Sequence, residues 1–127
     1  MENYFIKSKE NLQAAQICFD NGLYNASVNR SYYAAYQAAI MALYVAGCKD
    51  KDEKYDNKHK WVQATFNGEL IHRRKIYPGY LKEYLVEMHY KRINADYKTT
   101  LISRKIASQQ LKGAIEFIDI IENKINI

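Results

Sequence analysis

Between Ser31 and Cys48 the chain runs for 18 residues without a charged side chain, and Ala and Tyr make up more than half of the run. No Gly or Pro interrupts it before Gly47, so the stretch has the composition of a continuous helix. A helix that is small and aromatic all round has no polar face for water, and must be covered on every side. Its length approaches the lower limit of a membrane span, but four Tyr, a Gln and a Ser within it argue against lipid. The reading is therefore the central helix of a bundle, with no membrane partner. A chain of 127 residues can bury about two-thirds of the surface it exposes when unfolded, enough to cover such a helix without disulfides or a structural metal.

The flanking segments supply the cover. Phe5, Leu12, Ala15, Cys18 and Phe19 recur at mostly three- and four-residue steps, which predicts an amphipathic helix from Glu2 to about Asp20, ended by Asn21-Gly22. The central helix follows from Tyr24 to about Ala46. The stretch 48–58, CKDKDEKYDNK, alternates charge with almost no apolar residue and is expected to be a mobile connector. A third helix is predicted from Lys60 to about His72, a fourth from Tyr80 to about Asp96, and a fifth after Ser103, an N-cap type, with Ile106, Leu111, Ala114, Ile115, Ile118 and Ile121 along it. No run alternates with period two. The expected fold is all-α, an antiparallel up-and-down bundle of about five helices forming a single domain over 1–127.

The 2 Cys, Cys18 and Cys48, lack paired spacing and read as small buried hydrophobes in a reducing compartment. The sequence MENYFIKSKE has no apolar stretch of a secretory signal, so a cytoplasmic location is expected. The net charge of +5 lies almost wholly in the middle third, where residues 58–92 carry 8 basic and 3 acidic side chains. A local basic surface suits RNA or a phosphate-bearing nucleotide, although clustered Lys and Arg also occur as a merely solvated face. Arg73, Arg74 and Lys75 are the densest part of it. Trp61, Phe66, Tyr77 and Tyr80 lie near this region and read as core before they read as stacking platforms.

Most chemistry-bearing motifs are missing from the sequence: no Gly-rich phosphate loop, no His-Glu-x-x-His, no Cys-x-x-Cys, no Gly-x-Ser-x-Gly,. Glu69 and His72 make one Glu-x-x-His pair, but a diiron bundle needs a second, so no metal and no cofactor is expected. The informative cluster is EMHYKRINADY. His89, Arg92 and Asp96 are three and then four positions apart and share a helix face, with Tyr97 beside them. An imidazole, a guanidinium that can fork onto phosphate and an orienting carboxylate are the parts of a metal-independent ribonuclease. They are equally the parts of an ordinary intrahelical pair. Arg30, the only charge between Asp20 and Lys49, is expected to find a partner, with Asp96 the leading candidate; with Asn29 it could instead contact a nucleotide.

The stretch GLYNASVNRSYYAAYQAAIMAL at 22–43, His59 to Phe66, RINADY at 92–97 and LISRKIASQQLKGAIEFI at 101–118 together resemble the small stand-alone bacterial branch of the HEPN superfamily, over nearly the whole chain. The resemblance implies a helical bundle that forms a homodimer and acts as a ribonuclease toxin, or as the partner of a minimal nucleotidyltransferase, in toxin–antitoxin or phage-defence systems. Active members carry an Arg, four to six residues, then a His where two protomers meet. Arg92 maps onto the motif Arg, but Tyr97, Lys98 and Thr99 occupy the offsets where His would stand. Catalysis would then need His89 from one turn upstream, because a Tyr of ordinary pKa is a poor base at neutral pH. Tyr97 is also implied as a position that a partner enzyme could modify. The reading that follows is an RNA- or nucleotide-binding module, with a metal-independent ribonuclease using Arg92 and His89, or a structural protein-interaction subunit, as alternatives.

Overall fold

The computed structural model describes residues 2–52, 54–55, 57–99 and 101–125. Five α-helices run in the order α1 (Glu2–Asp20), α2 (Tyr24–Val45), α3 (His59–Thr65), α4 (Tyr84–Tyr97) and α5 (Arg104–Ile125), with no strand among the described residues. The four long helices alternate up and down. Ser8 meets Ala34 while Ser27 meets Ala15, so α1 and α2 are antiparallel; Asn25 meets Ala95 while Tyr32 meets His89, so α2 and α4 are too. Tyr84 beside Glu116 and Met88 beside Gly113 give the same relation for α4 and α5.

Helix α2 lies at the centre, as its composition requires. Ala34, Ala35, Ala38, Ala39, Ile40 and Leu43 are all buried, and Phe66, Leu70, Phe117, Ile118 and Ile121 close over them. Small residues let neighbouring backbones come near. The Ser8 hydroxyl donates to the Ala34 carbonyl at 2.7 Å and the Ser27 hydroxyl to Ala15 at 2.9 Å, both buried. Such contacts need short side chains at the crossing. At each end of α2 a glycine turns the chain: Gly22 and Gly47 hold φ of 74° and 80°. In both turns the next residue's N–H reaches back five positions, Leu23 to Cys18 and Cys48 to Leu43, each at 2.8 Å, the Schellman closure of a helix C-terminus.

The third predicted helix divides. α3 has only 7 residues, and Phe66–Arg73 continues it with π-helical winding. The fourth begins as a 3-10 turn, Gly79–Glu83, before α4 proper, because Pro78 and Gly79 precede it and supply no helical cap. Ser103 caps α5 as predicted, its Oγ accepting the Ile106 N–H at 3.2 Å.

The connector is more anchored than its charge pattern suggests. Tyr55 is 3% exposed, edge-on to Tyr4, and its carbonyl accepts the Tyr36 hydroxyl; Lys58 pairs with Asp50 at 3.0 Å. One aromatic in a polar run is enough to pin it. Glu53 and Asp56 of that run lie outside the described residues. Cys18 and Cys48 are free and half-buried rather than fully enclosed, since each sits near a helix end where the covering helices part. Among the described residues no helix is long and apolar enough to cross a membrane.

If the close α1–α2 crossing sets the fold, Ala34→Leu should lower stability by about 1–3 kcal/mol in denaturant unfolding. Ala26→Leu, on the exposed part of α2, should change it by about 0.5 kcal/mol or less. Equal effects would contradict the packing.

Candidate functional site

His89, Arg92 and Asp96 lie on the side of α4 that packs against α2. Arg92 is 9% exposed, with its guanidinium carbon 5.5 Å from the centre of the Tyr32 ring and 5.4 Å from that of Tyr33. Its Nη1 meets Asp96 Oδ2 at 3.2 Å. Asn29 then donates to both Asp96 oxygens, at 3.1 and 3.3 Å, so the carboxylate is fixed from α2 and α4 together. The Arg92 Nε, also buried, has no partner.

Arg30 is not part of this arrangement. It is exposed and its Nη1 donates to Asn11 Oδ1 at 3.3 Å. The expected Arg30–Asp96 pair is absent, because Arg92 and Asn29 already occupy Asp96 and Arg30 faces α1, where water solvates it.

His89 does not stand alone. His59, the first residue of α3, stacks on it with ring centres 4.7 Å apart and planes 25° apart. Tyr32 stacks on the same His89 at 5.0 Å and 15°. The Tyr32 hydroxyl lies 2.6 Å from His59 Nδ1, and the Gln63 amide nitrogen 2.9 Å from His89 Nδ1. Burial raises the Tyr32 pKa well above its ordinary value, so the hydroxyl stays protonated in its hydrogen bond with His59 Nδ1. The Gln63 amide N–H donates to His89 Nδ1, which puts the proton of that neutral ring on Nε2,.

The electrostatics agree with neutral rings. Burial first, then His89 and Arg92, push the His59 pKa down to about 4; burial and Arg92 also lower that of His89. The cluster thus brings a guanidinium with an orphaned donor and the His89 Nε2–H to one place, the kinds of donor that an anion accepts from,. Turning over the Gln63 carboxamide would move the His89 proton to Nδ1 and leave Nε2 as a base.

The remaining predicted residues are elsewhere. Tyr97, at the end of α4, is 75% exposed. Arg73 grips Glu69 through two bonds of 2.7 and 2.8 Å; Arg74 donates to the Ala46 carbonyl at 2.8 Å and reaches Glu69 at 3.3 Å. Ala46 closes the C-terminal end of α2, about 21 Å along the axis from Tyr32 at 1.5 Å per residue. Lys75 is exposed beside them. Sequence reasoning gave His59, Tyr32 and Gln63 no role. A usable signal existed in the scarcity of histidine: with only 3 in the chain, two are expected to meet by chance only rarely.

The HEPN domain family model matches residues 1–124. A curated protein of Methanocaldococcus jannaschii, named "Putative toxin", is 29% identical over 122 residues, covering 93% of this chain and 83% of that protein. The family match spans nearly the whole chain and fits its all-α bundle, and the chain belongs to the HEPN domain family.

Depressed histidine pKa values couple folding to pH. The unfolded chain binds protons at His59 near the ordinary histidine pKa, whereas the folded chain does so only near pH 4,. Stability is therefore full above about pH 6.5 and lost progressively as pH falls toward 4. The melting temperature should drop across that window, and less so in His59→Gln. An imidazole NMR titration that places the His59 midpoint above 6 would contradict the geometry.

Proposed function

We propose that this HEPN protein binds RNA or a phosphate-bearing nucleotide on the α2–α3–α4 face and serves as a toxin-like module. The observation that carries the reading is the Arg92 guanidinium: nine-tenths buried, held by one carboxylate, and left with an unpartnered Nε. Leaving a buried donor unmet costs about 1–3 kcal/mol, a cost that a bound acceptor would remove. A phosphate oxygen is an acceptor of the right charge, and the His89 Nε2–H can add to it. The relative's name supports the toxin-like role. The resemblance extends the proposal to a cytoplasmic homodimer acting in a toxin–antitoxin or phage-defence system, beside a minimal nucleotidyltransferase.

The stacked imidazoles favour a second reading, a metal-independent ribonuclease. With Gln63 turned over, His89 takes the proton of a ribose 2′-hydroxyl; that oxygen bonds to phosphorus while the bond to the 5′-oxygen breaks. The His89 imidazolium so formed returns its proton to the departing 5′-oxygen, His59 stacked on it holds the ring in place, and Arg92 stabilises charge on the phosphorane oxygens. The products are a 2′,3′-cyclic phosphate and a 5′-hydroxyl.

One experiment addresses both readings: purified protein with labelled mixed RNA in EDTA, wild type against Arg92→Gln, His89→Ala and His59→Ala, with folding checked by circular dichroism. The binding reading predicts affinity that falls steeply with salt and drops at least tenfold in folded Arg92→Gln, without cleavage. Cleavage that all three substitutions abolish would establish the ribonuclease. Salt-independent affinity, equal in wild type and Arg92→Gln, would overturn both.

A further inference from the structure

A second feature of the basic third shares no lining residue with the α4 face: the groove between the π-helical segment and the 3-10 turn. Its volume is about 720 Å³, within the usual range of ligand pockets. Ile71, Tyr77 and Pro78 give it an apolar floor; His72, Lys75 and Lys82 stand around it. No carboxylate lines it among the described residues. Glu69, next to the lining residue Gly68, is held by Arg73 and Arg74.

Two backbone irregularities build this groove. The π-helical winding of Phe66–Arg73 is the kind that recurs at functional positions. Lys75 then takes φ of +53°, the only positive φ outside glycine among the described residues. That conformation is locked: the Arg74 N–H bonds to the Glu69 carbonyl at 2.9 Å, and the Ile76 and Tyr77 N–H groups share the Leu70 carbonyl at 2.8 and 3.2 Å. Glycine would adopt it without strain, yet the chain places a lysine there, on the rim of a groove that holds a second lysine. Strain kept at a charged residue beside a cavity points to a role for that charge.

We propose that this groove seats one nucleotide of single-stranded RNA, with its base on the apolar floor and its phosphate between Lys75 and Lys82. The proposal rests on the RNA reading above and adds a second contact point to it. A flat ring with an anion attached matches an apolar floor with a cationic rim, and aliphatic stems of Lys75 and Lys82 can cover the ring edges.

The test is a ¹⁵N NMR titration of the full chain with a short oligouridylate, alongside its affinity for wild type and for Lys75→Glu/Lys82→Glu. Gly68 and Gly79 line the groove, and their amides report on it; the Gln63 side-chain amide reports on the α4 face. The proposal predicts shifts at Gly68 and Gly79, and at least a tenfold loss of affinity in the folded double variant. Groove shifts without Gln63 movement would keep this proposal and sink the α4-face reading. Movement of Gln63 alone, with affinity unchanged in the double variant, would overturn the groove and leave the α4 face standing. No shift at either place would overturn the groove as well.

Discussion

Helix α2 cannot face water, and the bundle is arranged around that constraint. Its alanines and serines let α1 approach until hydroxyls bond directly to backbone carbonyls across the crossing. Its larger side chains, Tyr32, Ile40 and Leu43, fill the space where α4, α5 and the π-helical segment close over. The helix is buried over most of the stretch from Ser31 to Leu43, so a polar group that packs on its Tyr32–Tyr33 region, as Arg92 does, is largely buried too. Arg92 and His89 are placed in this way: α4 crosses α2 where the side chains are tyrosines, and the guanidinium lies over their rings.

That crossing turns a structural necessity into a chemical site. Tyr32 serves three purposes at once: core side chain, platform for His89, and hydrogen-bond partner of His59. The Gln63 amide N–H fixes the His89 tautomer. Asn29 and Asp96 hold Arg92 in position without satisfying it. The result is a concentration of hydrogen-bond donors, mostly neutral, around one guanidinium whose charge is only partly answered. Burial keeps both imidazoles neutral near neutral pH, so the charge at this surface is set by Arg92 and Asp96,.

The fold was legible because its signals are local. Gly22, Gly47 and Ser103 mark helix ends through their own backbone preferences, and the apolar spacing of α1 and α5 needs no tertiary information. The π-helical winding had no such signal, since Trp61 through His72 reads as an ordinary amphipathic run; it arises where the chain turns over Leu70. Tyr55 was hidden for the opposite reason: one ring in a highly charged stretch carries no periodicity, yet it packs on Tyr4 and Trp61. In the site, Arg92, His89 and Asp96 could be grouped because they share one helix. His59 could not, being 30 residues away from His89 in sequence and brought to it only by the connector's course. The Arg30–Asp96 pairing failed because helix spacing alone does not tell which neighbour, α1 or α4, a residue of α2 faces.

The central claim is that the orphaned Nε–H of Arg92 is held for a phosphate. Observation of that proton by ¹H–¹⁵N NMR tests it most directly, since burial should slow its exchange and give it a resolved signal. Addition of a phosphate-bearing dinucleotide should move the Arg92 Nε–H resonance downfield in a saturable way, while the corresponding dinucleoside without phosphate should not. A resonance that stays in place as the dinucleotide binds elsewhere would contradict the account.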